Sequence, residues 1–126
     1  MSQELARRFF DEFVEAFACF DGALVAQRYL SPYLAFHSPE ELRVFASAAD
    51  IAVYFQGILD DYRARGCRAC RYRDLHVTAL GADCALASVT WELLDAAGGV
   101  IAAWRESYNL CRVEGRYRVF ASTDHR

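Results

Sequence analysis

Residues 68–80 read RACRYRDLHVTAL, 84–95 read CALASVTWELLD, 100–113 read VIAAWRESYNLCRV and 116–124 read RYRVFASTD. Between them stand only Gly81-Ala82-Asp83, Ala96 to Gly99, and Glu114-Gly115. Each long run is rich in β-branched and aromatic residues, and each break is short and contains glycine. Such breaks close hairpins, so consecutive runs pair as antiparallel neighbours. The C-terminal half therefore predicts a four-stranded antiparallel meander.

Toward the N-terminus the period changes. Leu5, Phe9, Phe13 and Phe17 recur every four residues, widened by Phe10, Val14 and Phe20, with charged residues opposite. This predicts an amphipathic helix from about 3 to 19, capped by Ser2. Asp21-Gly22 breaks it, and Asp21 caps a short second helix running through Ala23, Leu24, Val25 and Tyr29. Ser31-Pro32 stops that helix, because a residue before proline avoids helical geometry. Residues 33–37 predict a short strand, Ser38-Pro39-Glu40 a turn, and Leu42 to Phe45 a brief extended piece. Ser47 caps a third helix with apolar positions Ile51, Tyr54, Phe55, Ile58, Leu59 and Tyr62, ended by Gly66. Helices first and a meander after is an α+β plan, with residues 1–126 as one domain.

Composition excludes several functions. A chain of 126 residues, 55% hydrophobic and 14% aromatic, has ample material for one core. Its net charge of −3 argues against a general nucleic-acid surface. All 14 basic residues are arginine, so Schiff-base chemistry and the lysine of a P-loop are out of reach. No apolar run is long enough to span a bilayer. The polar start Met1-Ser2-Gln3-Glu4 does not read as a secretory leader, so a cytoplasmic location is expected. Five scattered cysteines then read as small buried apolar side chains.

The order of elements resembles the nuclear-transport-factor-2-like superfamily, in particular its SnoaL-like small proteins. The likeness lies in the helix broken at Phe20-Asp21-Gly22 and in Tyr33-Leu34-Ala35-Phe36-His37-Ser38-Pro39 as first strand. It continues in Ala85 to Trp91, in Trp104 to Leu110, and in Glu114-Gly115-Arg116-Tyr117-Arg118-Val119. The resemblance implies three helices packed in the concave face of a strongly curved antiparallel sheet, a cone with an apolar pocket at its open end. It also implies a homodimer formed through the outer face of the sheet. Fold does not fix function here, since the superfamily holds isomerases, cyclases, dehydratases, epoxide hydrolases and non-catalytic modules. The ketosteroid isomerase set is not reproduced. Its first-helix tyrosine falls at or near Phe13, its strand aspartate in the neighbourhood of Phe36-His37-Ser38, and its second donor near Glu106 or Ser107.

Two titratable residues stand out as candidate catalytic groups. His37 lies at the expected pocket mouth, where an imidazole can exchange protons near neutrality. Glu106 shares one strand face with Trp104, Tyr108 and Leu110, because alternate residues point the same way. A carboxyl in such company should have a raised pKa. Tyr54, Trp91, Trp104 and Tyr108 are the candidate ligand-pocket residues for a small apolar or aromatic molecule. Cys67-Arg68-Ala69-Cys70 lacks the second pair or histidine that a zinc site needs, and no metal or cofactor is expected. The run Arg63, Arg65, Arg68, Arg71 and Arg73 reads as a solvated or paired face, and Asp74 with His76 as an outward pair. The expected chemistry is proton transfer on a small molecule, and the competing expectation is a binding or dimeric assembly module.

Overall fold

The computed structural model describes residues 1–38 and 41–125. The turn expected at Ser38-Pro39-Glu40 involves residues outside that set. The elements run α1 (Gln3–Ala18), α2 (Gly22–Ala26), β1 (Tyr29–Ser38), β2 (Glu41–Phe45), α3 (Ala48–Ala64), β3 (Ala69–Leu80), β4 (Cys84–Leu94), β5 (Val100–Val113) and β6 (Arg116–His125). The strands form one curved sheet in the order β2-β1-β6-β5-β4-β3. Strands β3 to β6 make the expected antiparallel meander. β1 joins β6 in parallel, so the first half of the chain closes onto the last strand.

The helix boundaries follow from caps. The Ser2, Asp21 and Ser47 side chains accept from Leu5, Ala23 and Asp50 amides, each satisfying a donor that a helix start leaves orphaned. Gly66 sits at φ 98° just past α3, a conformation that costs glycine little. Tyr29, expected in the second helix, is instead the first residue of β1. The Arg28 carbonyl accepts from the Val119 amide at 2.9 Å, so the chain is captured by the sheet before the helix can extend. Ser31-Pro32 therefore lies within β1, where pairing with β6 is interrupted between Tyr29 and Leu34 and no ladder donor is lost.

Phe9, Phe10, Phe13 and Phe17 of α1 and Ile51, Phe55 and Leu59 of α3 are buried against the inner sheet face. Phe10 touches Tyr72, Trp91 and Tyr108, with ring centroids 5.5–6.0 Å apart. Gly22 lets α2 approach α3 closely, since a Cβ there would stand 2.5 Å from both the Ala52 oxygen and the Gln56 nitrogen.

Two β-bulges set which side chains face inward. In β6, Asn109 pairs with Ala121 but Leu110 pairs with Val119, so Phe120 is the extra residue. Val119 is buried before the bulge, and Ser122 and Asp124 are buried after it. In β3 the register shifts between Arg73 and His76, where Asp74 adopts φ 56°. Asp74 and His76 are exposed, as their alternation predicts. Among the described residues no helix is long and apolar enough to cross a membrane.

Candidate functional site

The helices and the inner sheet face enclose a cavity of about 270 Å³, near the lower end for small-molecule pockets. α1 contributes Phe13 and Phe17, and α3 contributes Tyr54, Phe55, Ile58, Leu59 and Tyr62. The sheet contributes Tyr29 and His37 from β1, Trp91 and Leu93 from β4, Trp104, Glu106 and Tyr108 from β5, and Asp124 from β6. All six residues singled out in the sequence border this space. The helical repeat on α3 puts Tyr54, Ile58 and Tyr62 on one side, and strand alternation does the same for Trp104, Glu106 and Tyr108.

The polar groups form one connected chain. Glu106 and Asp124 are directly opposed across β5 and β6, and both are buried. Trp104 Nε1 donates to Glu106 Oε1 at 3.0 Å. His37 Nδ1 lies 3.0 Å from Asp124 Oδ1, and His37 Nε2 lies 3.1 Å from the Tyr33 hydroxyl. That hydroxyl is also hydrogen-bonded to Ser122 Oγ. With Asp124 as a carboxylate, which only accepts, the His37 Nδ1–H is the donor of that hydrogen bond. With partners on both ring nitrogens, His37 fixes Asp124, whose neighbour Glu106 is the carboxyl set among aromatic rings.

Burial pushes the Glu106 carboxyl up to about 7, and the negative charge of Asp124 adds to the rise. The His37 charge and the Trp104 N–H pull the other way, while a hydrogen bond with Asp124, which only a protonated carboxyl can donate, raises it again. Both protonation states are thus accessible near neutrality. The Tyr29 and Tyr108 phenols, buried beside Glu106, are pushed well above their ordinary value, first by burial, so they stay neutral. Tyr108 accepts from Trp91 Nε1 at 2.7 Å, which keeps its own O–H proton for another acceptor.

His37, Glu106 and Asp124 each offer one ligand atom, all within 4.8 Å of one another, and a divalent cation could use that set. Trp104 and Tyr33 meanwhile occupy a Glu106 oxygen and the second His37 nitrogen.

Sequence reasoning missed Asp124, Tyr33 and Tyr29. Straight alternation from Val119 would turn Asp124 outward, and only the bulge at Phe120 brings it in. Tyr33 was legible as a strand residue sharing a face with His37. Elsewhere the expectations divide. Cys67 precedes β3, and its thiol donates to the Ala69 carbonyl at 3.3 Å; Cys70 reaches the cavity wall. The arginine run is engaged throughout. Arg63 lies over Phe20, Arg65 pairs with Asp61, Arg68 donates to two carbonyls, and Arg71 and Arg73 pair with Glu92.

A family profile described as NTF2-like protein (DUF6841) matches residues 3–126. Curated protein sequences give no match. Among solved structures, an NTF2-like protein with a cystatin-like fold from Novosphingobium aromaticivorans superimposes with a TM-score of 0.76 at 17% identity, covering 97% of this chain and 79% of that one. A proposed dehydratase of the NTF2-like family from Streptomyces avermitilis gives 0.70 at 14% identity, covering 98% and 95%. A proposed calcium/calmodulin-dependent protein kinase II association domain from Xanthomonas campestris gives 0.71 at 22% identity, covering 98% and 86%. At such identities the likeness concerns the fold. With an inner cavity under three helices, a curved α+β sheet and a profile match along nearly its whole length, the chain belongs to the NTF2-like family.

Proposed function

We propose that this protein binds a small, largely apolar ring compound in its cavity and moves a proton on it, as isomerases, cyclases and dehydratases do. The carrying observation is the Glu106 carboxyl, buried among aromatic rings and poised at about 7 beside Asp124. Glu106 is the proton carrier. Asp124 holds that poise through its charge, and His37, tethered by Tyr33, positions Asp124 and neutralises it in part. The aromatic walls exclude water and strengthen the local electrostatics. The step needs no cofactor. The dehydratase description of one structural neighbour is consistent with it.

A nitro-substituted benzisoxazole tests the reading. A base removes its C–H proton, the N–O bond opens, and a coloured cyanophenolate forms. A carboxylate desolvated in an aromatic cavity should accelerate this reaction over acetate in water, with a rate rising through pH about 7. Glu106→Gln should lose at least ~100-fold of it. Saturable binding of the probe without acceleration would leave a binding cavity and sink the catalytic role.

A second reading, an assembly module, rests on the outer face. Leu34, Leu42, Val44 and Phe120 are 38–65% exposed on the adjoining strands β1, β2 and β6. We propose this face as the homodimer surface, and a cytoplasmic location for the protein. Light scattering on Val44→Glu should show monomers where the parent protein shows dimers.

A further inference from the structure

The five cysteines are all free thiols, and they differ in setting. Cys67 and Cys70 are shut inside the core, at 0% and 6% exposure. Cys19 stands on the surface at the end of α1. Cys84 and Cys111 form a pair. They are directly opposed across β4 and β5, half-buried, on the outer face, since their neighbours Ala85 and Leu110 point inward.

The ladder tells what kind of pair this is. The Arg112 amide donates to the Asp83 carbonyl at 2.7 Å, which makes Asp83 and Arg112 the hydrogen-bonded position of the ladder. The next opposed residues, Cys84 and Cys111, are then a non-hydrogen-bonded pair, in which Cα atoms stand about 4.5 Å apart and side chains lie closest. A disulfide bridges Cα separations of roughly 4.4–6.8 Å. The Asp83–Arg112 ion pair, 3.1 Å long, holds the register on one side. On the other, Ala85 and Leu110 are fully buried. The Cys111 thiol is pushed up by burial and further by the neighbouring Cys84.

We propose that Cys84 and Cys111 form a dithiol site that low-molecular-weight disulfides oxidise reversibly to a cross-strand disulfide. One thiolate attacks a sulfur of the oxidant and expels its first thiol, leaving a mixed disulfide on the protein. The second thiolate attacks the protein-side sulfur and expels the other thiol. Two protein thiols give one S–S bond, two protons are released to solvent and the expelled thiolates, and two electrons pass to the oxidant. The bond ties together the strands that carry Trp91, Trp104, Glu106 and Tyr108, the sheet wall of the cavity.

The test uses the full chain incubated folded with oxidised glutathione, then trapped with N-ethylmaleimide and read by peptide mass spectrometry. The expected product is a Cys84–Cys111 cross-link reversed by dithiothreitol, with Tm higher by about 5 °C. Cys84→Ser and Cys111→Ser should each stop at a stable glutathione adduct on the remaining thiol, because nothing is left to expel it. Three outcomes overturn the proposal: both thiols still captured by maleimide in the parent protein, glutathione retained on both without a cross-link, or Cys67 and Cys70 linked in their place.

Discussion

Glu106 and Asp124 face each other from opposed positions of β5 and β6, and the proton on Glu106 is held partly because Asp124 beside it is charged. Replacing Asp124 by Asn removes that charge while keeping size and hydrogen-bonding capacity. The Glu106 midpoint should then fall by ~1 pH unit or more. The pH profile of the benzisoxazole reaction reads this directly, and an unmoved midpoint would show that burial alone sets the poise.

The same poise makes stability depend on pH. The folded value of Glu106, about 7, lies above its ordinary 4.5, so the fold favours the protonated form. This contribution is fully present below 4.5 and is lost as pH rises to about 7. Urea titrations across that window should show the parent protein losing up to about 3 kcal/mol from this group. Glu106→Gln cannot ionise, so its stability relative to the parent should climb over the same interval. Parallel curves for the two proteins would refute the raised value.

Trp104 Nε1 donates to Glu106 and favours its charged form. Trp104→Phe keeps an aromatic wall and deletes the donor. The Glu106 midpoint should move upward, opposite to the Asp124→Asn shift. Opposite signs from two neighbours of one carboxyl separate electrostatics from general disruption of the site.

Tyr33 anchors His37 from behind, with its hydroxyl between Ser122 and the imidazole. Tyr33→Phe removes the hydroxyl that buried Ser122 and the imidazole share, at a cost of roughly 1–3 kcal/mol. His37 would lose its tether, so the proton-transfer rate should drop alongside denaturant stability. Full activity in a destabilised variant would mean that His37 needs no anchor.

Two glycines on the helices should respond in opposite directions. Gly22→Ala puts a Cβ into the α3 backbone, where nothing can yield locally, and should cost about 3 kcal/mol. Gly57 lies inside α3 with open space around its position, and Gly57→Ala should stabilise by ~0.5–1 kcal/mol. Equilibrium unfolding of the pair checks whether α2 and α3 meet as closely as described.

The sequence by itself determined the first and third helices, the three helix caps, the hairpin meander and the inward face of Trp104, Glu106 and Tyr108. These depend on short-range rules: a period of four in α1, a period of two in β5, and glycine where the chain reverses. His37 was legible as a titratable residue on a short strand next to a turn. Long-range register decided the rest. Parallel pairing of β1 with β6 joins residues about ninety positions apart, and nothing local to either strand announces it. The single extra residue at Phe120 inverts the strand's alternation and carries Asp124 from the solvent side to the cavity. Only after that inversion do Asp124, His37 and Glu106 share one buried space. Side-chain period belongs to the chain, whereas bulges and pairing partners belong to the assembled sheet, so Glu106 was visible as a candidate and the neighbour that poises it was not.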